Sequence, residues 1–329
     1  MLPARSWGRF LSTELSPAAF GHAWQRPANL VHLHVPNPVC VGALSLRHRR
    51  PMVITYHCDM DRQFGLPGSL YRALLRRLMR RAETVIVTSE MLGESPEIQA
   101  SRARTRVIPL GVRPERLRVD DATRAEAAAR RARWGDRTVL FVGRLVYYKG
   151  LDVLLRAARR LDGRLVLAGD GPERSRLEQL AKDLSVFDRI CFLGHLEEQS
   201  LVAAYLAADV VVLPSTGIGE SFGQTQVEAA LLGKPVVSTR LPTGVPWVNL
   251  DGVTGLVVPP GDDAGLAAAL QRLLDDPALA RRLGAAGKER AEHEFTAEIM
   301  VDRTLSLYRE LTSGGNGGAT RAAAGKPLF

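Results

Sequence analysis

This 329-residue sequence lacks the long apolar runs that mark membrane-spanning and secreted chains. Its longest apolar runs have the length of single strands, and no apolar core of signal-peptide length follows the charged N-terminus MLPARSWGRF. With 46% apolar and 24% charged residues, the composition is that of a soluble globular protein long enough for two domains. We therefore expect a cytoplasmic protein.

Cysteine is also scarce. The chain has only Cys40, Cys58 and Cys191, an odd number with no C-x-x-C pair. This pattern implies neither a disulfide framework nor a cysteine zinc site. Buried, reduced thiols are expected instead.

Two common nucleotide-binding motifs are missing. The turn Gly169-Asp170-Gly171-Pro172 lacks the third glycine of a dinucleotide fingerprint, and Pro172 replaces a free amide. This disfavours a Rossmann dehydrogenase. The run G-x-x-x-x-G-K-[ST] is absent as well, which excludes the P-loop NTPases.

Lysine is absent from the first 118 residues, which hold 18 Arg against eight Asp and Glu. Because the whole chain carries a net charge of +9, this region accounts for all of the positive excess. Much of it lies in 69–83, where leucines at helical spacing alternate with arginines. Such a helix can dock on anionic lipid or present a solvated basic face, and both readings stay open. Nucleic acid is a weaker option because no aromatic residues interleave with the arginines.

Short β-branched runs alternate with helical stretches along the chain, as in parallel α/β sheets. The strands expected in the first part are 30–35, 51–56, 84–89 and 106–110, and those expected in the second are 138–143, 164–169, 189–194, 210–215, 235–239 and 255–259.

The prediction is an α/β protein with two doubly wound Rossmann-like domains, residues 1–133 and 134–312, the second ending in a C-terminal helix. Residues 313–329 are expected to be disordered. The first domain is about two strands short, because 1–28 contains no convincing strand, glycine-rich turn and helix. A misassigned start, a real truncation or an unrecognised substitute would each explain this shortage.

The segment 220–228 is the most informative part of the chain. Ser221 and Gln224 have the S-x-x-Q spacing of a capping box, which predicts a helix from Phe222 to Gly233. The free amides of Phe222 and Gly223 at the start of that helix would form an anion site.

Two carboxylates flank this helix start. Glu220 lies in the loop before it, and Glu228 lies roughly 10 Å further along the axis at about 1.5 Å per residue. This separation suits a long ligand with a polar head, a phosphate and a second hydroxylated part. A capped helix with one solvated and one buried glutamate is the alternative.

Arg144 and Lys149 lie in the loop 143–150, after a predicted strand. Open α/β sheets bind ligands at this edge, and two cations there match a diphosphate. A glycoside hydrolase is disfavoured, because its two carboxylates must flank one bond at roughly 5 to 9.5 Å.

The series GRLVYYKGLDVLL, LVLAGDGPE, RICFLG, ADVVVLPS, ESFGQTQVEAALLGKPVVST and DGVTGLVVPPGD resembles the nucleotide-sugar domain of the retaining glycosyltransferases of family 4, which have the GT-B fold. The runs VHLHVPNP, VITYHCDM, VIVTSEM and VIPLGV resemble their acceptor domain. TYHCDM and TGVPWVN are most similar to bacterial enzymes that add a hexose to a lipid-linked oligosaccharide or cell-surface polysaccharide.

The resemblance implies a role for each matching residue. Arg144 and Lys149 would hold the diphosphate over the backbone of Phe222 and Gly223, with Glu220 on the donor sugar. Glu228 would bind the ribose. The remaining residues assigned to the donor site are Gly143, Ser221, Thr225, His195 and Leu196, the last two facing the base.

His57, in TYHCDM, would face the donor sugar from the first domain, although a lone histidine at a strand end is usually structural. The resemblance implies transfer with retention, from GDP-mannose or a UDP-hexose to a glycan or lipid-linked acceptor. Asp59 and Asp61 form an Asp-x-Asp away from the nucleotide site, and we expect neither a metal nor another cofactor. A truncated, non-catalytic nucleotide-sugar-binding relative is the alternative.

Overall fold

Two parallel β-sheets organise the residues that the computed structural model describes, namely 9–10, 13–14, 29–47, 51–58 and 65–313. Arg9–Phe10 (β1) and Thr13–Glu14 (β2) form a separate antiparallel pair that we did not expect. The remaining residues of 1–28 lie outside the described part, as do Asp59, Asp61 and 314–329. The shortage of first-domain strands and the disordered tail therefore stay predictions.

The first sheet contains four strands in the order β3-β4-β5-β6, all parallel. Every residue of β4 is buried, so helices cover both faces of this strand. The four strands are Val31–Val35 (β3), Met52–Tyr56 (β4), Thr84–Val87 (β5) and Thr105–Val107 (β6).

The second sheet contains six parallel strands in the order β12-β11-β10-β7-β8-β9. Both sheets agree with the predicted strands, apart from one to three residues at their ends. The strands are Thr138–Val142 (β7), Arg164–Ala168 (β8), Ile190–Gly194 (β9), Val210–Leu213 (β10), Val236–Thr239 (β11) and Gly255–Val258 (β12).

Helices connect the strands, and short 3₁₀ segments lie at Pro114–Leu117, Tyr147–Lys149 and Phe187–Arg189. The α-helices in the described residues are Pro38–Arg47 (α1), Gly65–Arg81 (α2), Glu90–Gly93 (α3), Pro96–Ser101 (α4), Asp121–Trp134 (α5), Leu151–Ala158 (α6), Arg174–Asp183 (α7), Glu198–Ala207 (α8), Gln224–Leu231 (α9), Val245–Val248 (α10), Asp263–Asp275 (α11), Pro277–Glu294 (α12) and Ala297–Ser313 (α13).

The apolar stripe of α2 packs into its own domain. Tyr71, Leu75, Leu78 and Met79 are buried in the core of the first sheet, whereas Leu70 is 64% exposed. Most of the leucines at helical spacing thus serve the fold, and the opposite face is left to arginines.

The last helix returns from the second sheet to the first. Leu307 of α13 is buried against Val53, Ile86 and Ile108. By packing, α13 therefore belongs with the first sheet, although the chain enters it from the second. Of the helices that the structure describes, none is both long and apolar enough to cross a bilayer.

Candidate functional site

The strand order of the second sheet reverses between β7 and β10. The chain proceeds outward from β7 through β8 and β9, then returns to place β10 on the other side of β7. The loops that follow β7 and β10 consequently diverge at the C-terminal edge and leave a crevice, the usual ligand site of an open α/β sheet. Lys149 lies in the first of these loops and Glu220 in the second.

These two side chains form an ion pair in the crevice. Lys149 Nζ lies 2.5 Å from Glu220 Oε2, and the side chains are only 12% and 10% exposed. The buried hydroxyl of Ser215, at the end of β10, donates to the same carboxylate oxygen over 3.1 Å. The structure thus brings together two of the predicted site residues, whose roles we had assigned to different parts of the ligand.

Glycines allow the loops to approach one another. Gly150 has a φ of +66°, and a Cβ there would lie 2.0 Å from the carbonyl oxygen of Pro214. A Cβ at Gly169 would lie 1.9 Å from the carbonyl oxygen of Gly143. Only glycine fits at either position, so the two contacts fix the distance between the loops after β7, β8 and β10.

The predicted start of the helix after Glu220 is wrong. The helix begins at Gln224, and Gly223, the residue before it, is left-handed with a φ of +74°. Ser221 makes no capping hydrogen bond; its carbonyl instead accepts from the amide of Gly244. The left-handed turn at Gly223 prevents the helix from extending back to Phe222, whose side chain is buried.

Thr225 and Glu228 project from the first two turns of α9. The Thr225 hydroxyl donates to the Val142 carbonyl over 3.3 Å, which ties α9 to the end of β7. Glu228 accepts a 2.8 Å hydrogen bond from the hydroxyl of Tyr205, a fully buried residue of α8. Burial raises the pKa of Glu228, while the Tyr205 hydrogen bond and the charge of Arg116 act in the opposite direction.

Arg144 is exposed beside the crevice, and no ion pair of its side chain occurs within the described residues. The neighbouring Tyr148 is half-buried and packs against Gly217 and Gly219. Burial raises the pKa of Tyr148, and the charges of Glu220 and Cys58 raise it further.

His57 makes no hydrogen bond with Lys149 or Glu220 among the described residues. It lies at the end of β4, and its Nε2 is 2.9 Å from Nδ1 of His34 on the neighbouring strand. The rings of His34 and His57 are stacked, as are those of His32 and His34. Burial and the neighbouring His34 lower the pKa of His57 to about 4, so it is neutral at pH 7.

His195 and Leu196 follow β9, the edge strand of the second sheet. His195 is exposed, whereas Leu196 is half-buried and packs against a core cluster on one face of that sheet. The amide of Gly169, in the loop after β8, donates to the carbonyl of Gly194 at the end of β9 over 2.7 Å. The side chains of His195 and Leu196 make no polar contact with the charged residues of the crevice in the described part of the chain.

Sequence reasoning did not single out four residues at the site: Ser215, Tyr148, Tyr205 and His34. Ser215 ends a predicted strand, and Tyr148 precedes Lys149, so strand-end position was a usable signal for both. His34 alternates with His32 along β3, which places both on one face. Tyr205 had the weakest signal, a single aromatic residue in an alanine-rich helix.

Two family models match this chain. The model of "Glycosyl transferases group 1" matches residues 124–290, and that of "Glycosyl transferase 4-like domain" matches residues 2–111. The first covers the second sheet together with Lys149, Glu220 and Glu228. The second covers the first sheet and His57.

Curated relatives agree with these matches. The chain is 31% identical over 289 residues to the O-antigen chain mannosyltransferase C of Escherichia coli, an alignment that covers 86% of this chain and 76% of the relative. It is 34% identical over 276 residues to the D-rhamnosyltransferase WbpZ of Pseudomonas aeruginosa, covering 82% and 70%.

Solved structures show the same architecture. Sucrose-phosphate synthase from Thermosynechococcus elongatus superposes with a TM-score of 0.78 at 28% identity, covering 89% of this chain and 76% of that one. HepE from Anabaena, solved with UDP, shares the fold with a TM-score of 0.78 at 22% identity, covering 90% and 82%. The two parallel-sheet domains thus form a GT-B fold. The chain belongs to the group 1 glycosyltransferases and is a transferase enzyme.

Proposed function

We propose that this glycosyltransferase moves a hexose from a nucleotide-diphosphate sugar to a glycan or lipid-linked acceptor in cell-surface polysaccharide synthesis, with retention of configuration. The observation that carries the proposal is the buried Lys149–Glu220 pair in the crevice between β7 and β10. The pair places one cation and one carboxylate where they could bind the diphosphate and the sugar of a donor. GDP-mannose is the leading donor, since the mannosyltransferase of Escherichia coli is among the similar relatives.

Catalysis follows from where charge develops. As the bond from the anomeric carbon to the diphosphate breaks, negative charge grows on the leaving oxygens. Lys149, Arg144 and the free amides at the start of α9 lie on the loops that border the crevice, and as donors to those oxygens they would stabilise the transition state more than the ground state. We propose that this chain uses no metal, because these groups can neutralise the leaving diphosphate.

Glu220 then positions the donor sugar. In the free protein, Lys149 and Ser215 both bind the same oxygen, Oε2. The other oxygen of Glu220, Oε1, is therefore available to a sugar hydroxyl. An arriving diphosphate would attract Lys149 away from Oε2. Glu228, on the second turn of α9, takes the ribose, and the loop at His195 and Leu196 takes the base.

The first domain would bind the acceptor, and His57 would face the donor sugar from it. His57 is neutral at pH 7, so its ring can accept or donate one hydrogen bond to a sugar hydroxyl without adding charge. Its contact with His34 fixes the orientation of the ring. Whether His57 donates or accepts in that contact depends on its tautomer.

The test is a transfer assay with purified protein, radiolabelled GDP-mannose or UDP-glucose, and a lipid-linked oligosaccharide acceptor. Transfer is expected with one donor, and Glu220→Ala should abolish it. Lys149→Ala and Arg144→Ala should weaken donor binding, whereas Arg159→Ala, an exposed arginine of the same domain, serves as the matched control. Nucleotide-sugar binding without turnover in every combination would instead support a non-catalytic relative.

We propose further that the enzyme works at the cytoplasmic face of the membrane, with α2 docking on anionic lipid. Arg72, Arg77 and Arg80 are exposed on one side of this helix beside the exposed Leu70. Arg76 is excluded from this set, because it forms a bidentate pair with Glu97 at 2.8 and 3.0 Å.

Vesicle co-sedimentation tests the docking surface. Binding to phosphatidylglycerol vesicles should fall strongly when Arg72, Arg77 and Arg80 are changed to Gln, and it should weaken at high salt. A control variant with Arg159, Arg281 and Arg282 changed to Gln removes the same charge from the second domain. Equal loss in the two variants would mean that net charge alone governs binding, and an unchanged first variant would contradict the proposal.

A further inference from the structure

The hydroxyl of Tyr205 reaches a predicted donor-binding carboxylate from inside the protein. It lies on α8, is fully buried, and donates to Glu228 Oε2 over 2.8 Å. In the part of the chain that the structure describes, its other oxygen partner is the Thr225 carbonyl at 3.5 Å, the limit of a hydrogen bond. Because a phenol has a single proton to donate, that proton goes to Glu228.

This contact divides the two oxygens of Glu228. Oε2 faces the buried hydroxyl of Tyr205, so Oε1 is the oxygen left for a ligand. A glutamate has three rotatable side-chain bonds, and holding one oxygen fixes the direction of the other. Binding a ribose then requires no further ordering of this side chain, which lowers the entropic cost of donor binding.

We infer that Tyr205 is a positioning residue that aims Glu228 at the ribose hydroxyls of the nucleotide donor. The inference rests on the ribose role proposed above for Glu228. It adds a residue from the protein interior whose effect on the donor passes entirely through that carboxylate.

The charges around Glu228 are consistent with this arrangement. The groups that face it are Tyr205 and Glu198 of α8 and Arg116 of the 3₁₀ segment after the first sheet. Arg116 is itself paired with Glu198 at 2.7 Å, so its charge is shared. Tyr205 is therefore the partner that directly holds Glu228 Oε2, and burial raises the pKa of its own phenol well above the usual value, which keeps it a donor.

Nucleotides without ribose hydroxyls provide the test. Calorimetric titration with GDP, UDP and their 2′,3′-dideoxy forms gives a discrimination ratio for each protein, namely its affinity for the ribonucleotide divided by its affinity for the dideoxynucleotide. We expect the ratio of Tyr205→Phe to be about ten-fold lower than that of the wild-type protein, which is the scale of one hydrogen bond to a charged group. The affinity for the dideoxynucleotides should stay the same. Tyr71→Phe, which removes a buried hydroxyl in the first domain, should keep the wild-type ratio.

A pH series supplies a second readout. The Tyr205 hydrogen bond stabilises the ionised form of Glu228, so its removal should raise the pH below which affinity for GDP or UDP falls. A merely structural tyrosine would not move this profile. Thermal unfolding of each variant shows whether the fold is intact.

Three outcomes would overturn the inference. If Tyr205→Phe keeps the wild-type ratio, Tyr205 does not aim Glu228. If it weakens ribo- and dideoxynucleotides equally, its role is structural. If the wild-type protein and Glu228→Gln have the same ratio, Glu228 does not bind ribose, and that part of the proposed function fails as well.

Discussion

The Lys149–Glu220 pair is buried, and buried pairs behave unlike surface pairs. Two charges removed from water stabilise a fold only weakly as a pair, but each becomes costly once its partner is removed. Within the described residues, Ser215 is the only other polar partner of the Glu220 carboxylate, so Lys149 supplies its countercharge. The crevice between β7 and β10 thus carries a buried ion pair whose partners depend on each other.

A double-mutant cycle measures this coupling. Lys149→Met and Glu220→Gln should each lower the free energy of unfolding by about 3 kcal/mol, and the double variant should recover about 2 kcal/mol of the combined loss. Urea unfolding of the four proteins gives the values. The same cycle on Arg106 and Glu310, whose side chains are 47% and 58% exposed, should give a coupling of about 0–1 kcal/mol. Additive losses at Lys149 and Glu220 would contradict the buried-pair interpretation.

Substitution of Gly150 tests whether the loop after β7 needs its close contact with Pro214 or only the left-handed backbone conformation of Gly150. Gly150→Ala should destabilise strongly and weaken donor binding, because the new Cβ would lie 2.0 Å from the Pro214 carbonyl oxygen. Gly252 has a similar φ of +72°, but a Cβ there meets nothing within 4 Å, so Gly252→Ala should cost only about 1 kcal/mol of backbone strain. Equal thermal shifts in the two variants would show that the Pro214 contact is unimportant.

At the scale of elements, the strands could be predicted because buried parallel strands leave a direct signal, a short β-branched run between turns. The helix after Glu220 could not be placed correctly from the S-x-x-Q spacing. That spacing describes side chains able to cap, whereas the start at Gln224 is set by the left-handed backbone of Gly223 and by the loop at Gly244. A glycine just before an apolar helix was the better signal.

The site was predictable in part for the same reason. Lys149 and Glu220 follow predicted strands, so their convergence could be expected from sheet topology alone. Their direct contact could not, since it depends on which strands are neighbours across the switch point. Tyr205 was beyond prediction, because the partner of a buried hydroxyl is set by how α8 packs beside α9.

The histidines of β3 and β4 make the first sheet sensitive to acid. Burial, together with His34 and His57, lowers the pKa of His32 to about 4, and that of His57 is also about 4. The unfolded chain binds protons below about pH 6.5, whereas the folded chain resists them until about pH 4. The free energy of unfolding should therefore fall as the pH drops from 6.5 to 4 and vary little from this source above 6.5.

Urea unfolding between pH 7.5 and 4.5 checks this expectation. His32 hydrogen-bonds Tyr308 and, over 2.7 Å, Thr55. His32→Gln should therefore lower stability at pH 7.5 and reduce the slope with pH. His293→Gln, at an exposed position of α12, should retain the wild-type slope. An unchanged slope in His32→Gln would mean that other groups dominate the acid response.

At the scale of the molecule, the two chain crossings between the domains are hydrogen-bonded to each other. The Val112 amide donates to Phe295 over 2.9 Å, and the Ala297 amide donates to Val112 over 2.8 Å. A Cβ at Gly111 would lie 2.4 Å from the Thr296 carbonyl oxygen, so the two crossings leave no room for a side chain at this position. Phe295 also packs on Phe222, in the loop that precedes α9. Movement at the crossings would thus displace Phe222 and the residues at the start of α9.

Because α13 packs on the first sheet, we expect the stability of the first domain to depend on this helix at the end of the described chain. Leu307 is 1% exposed and completes a cluster with Val53 of β4 and Ile86 of β5, whereas Leu305 on the same helix is 39% exposed. Leu307→Ala should cost about 2–4 kcal/mol, and the loss should fall on the first sheet.

Amide hydrogen exchange read strand by strand locates the effect of this change. Exchange should accelerate in 52–56 and 84–87 of Leu307→Ala and stay near wild type in 138–142 of the second sheet, while Leu305→Ala should leave all three segments unchanged. Equal acceleration in both sheets would mean that the domains unfold as one cooperative unit, with the two hydrogen-bonded crossings transmitting the loss. Acceleration confined to α13 would mean that the first sheet is stable without it.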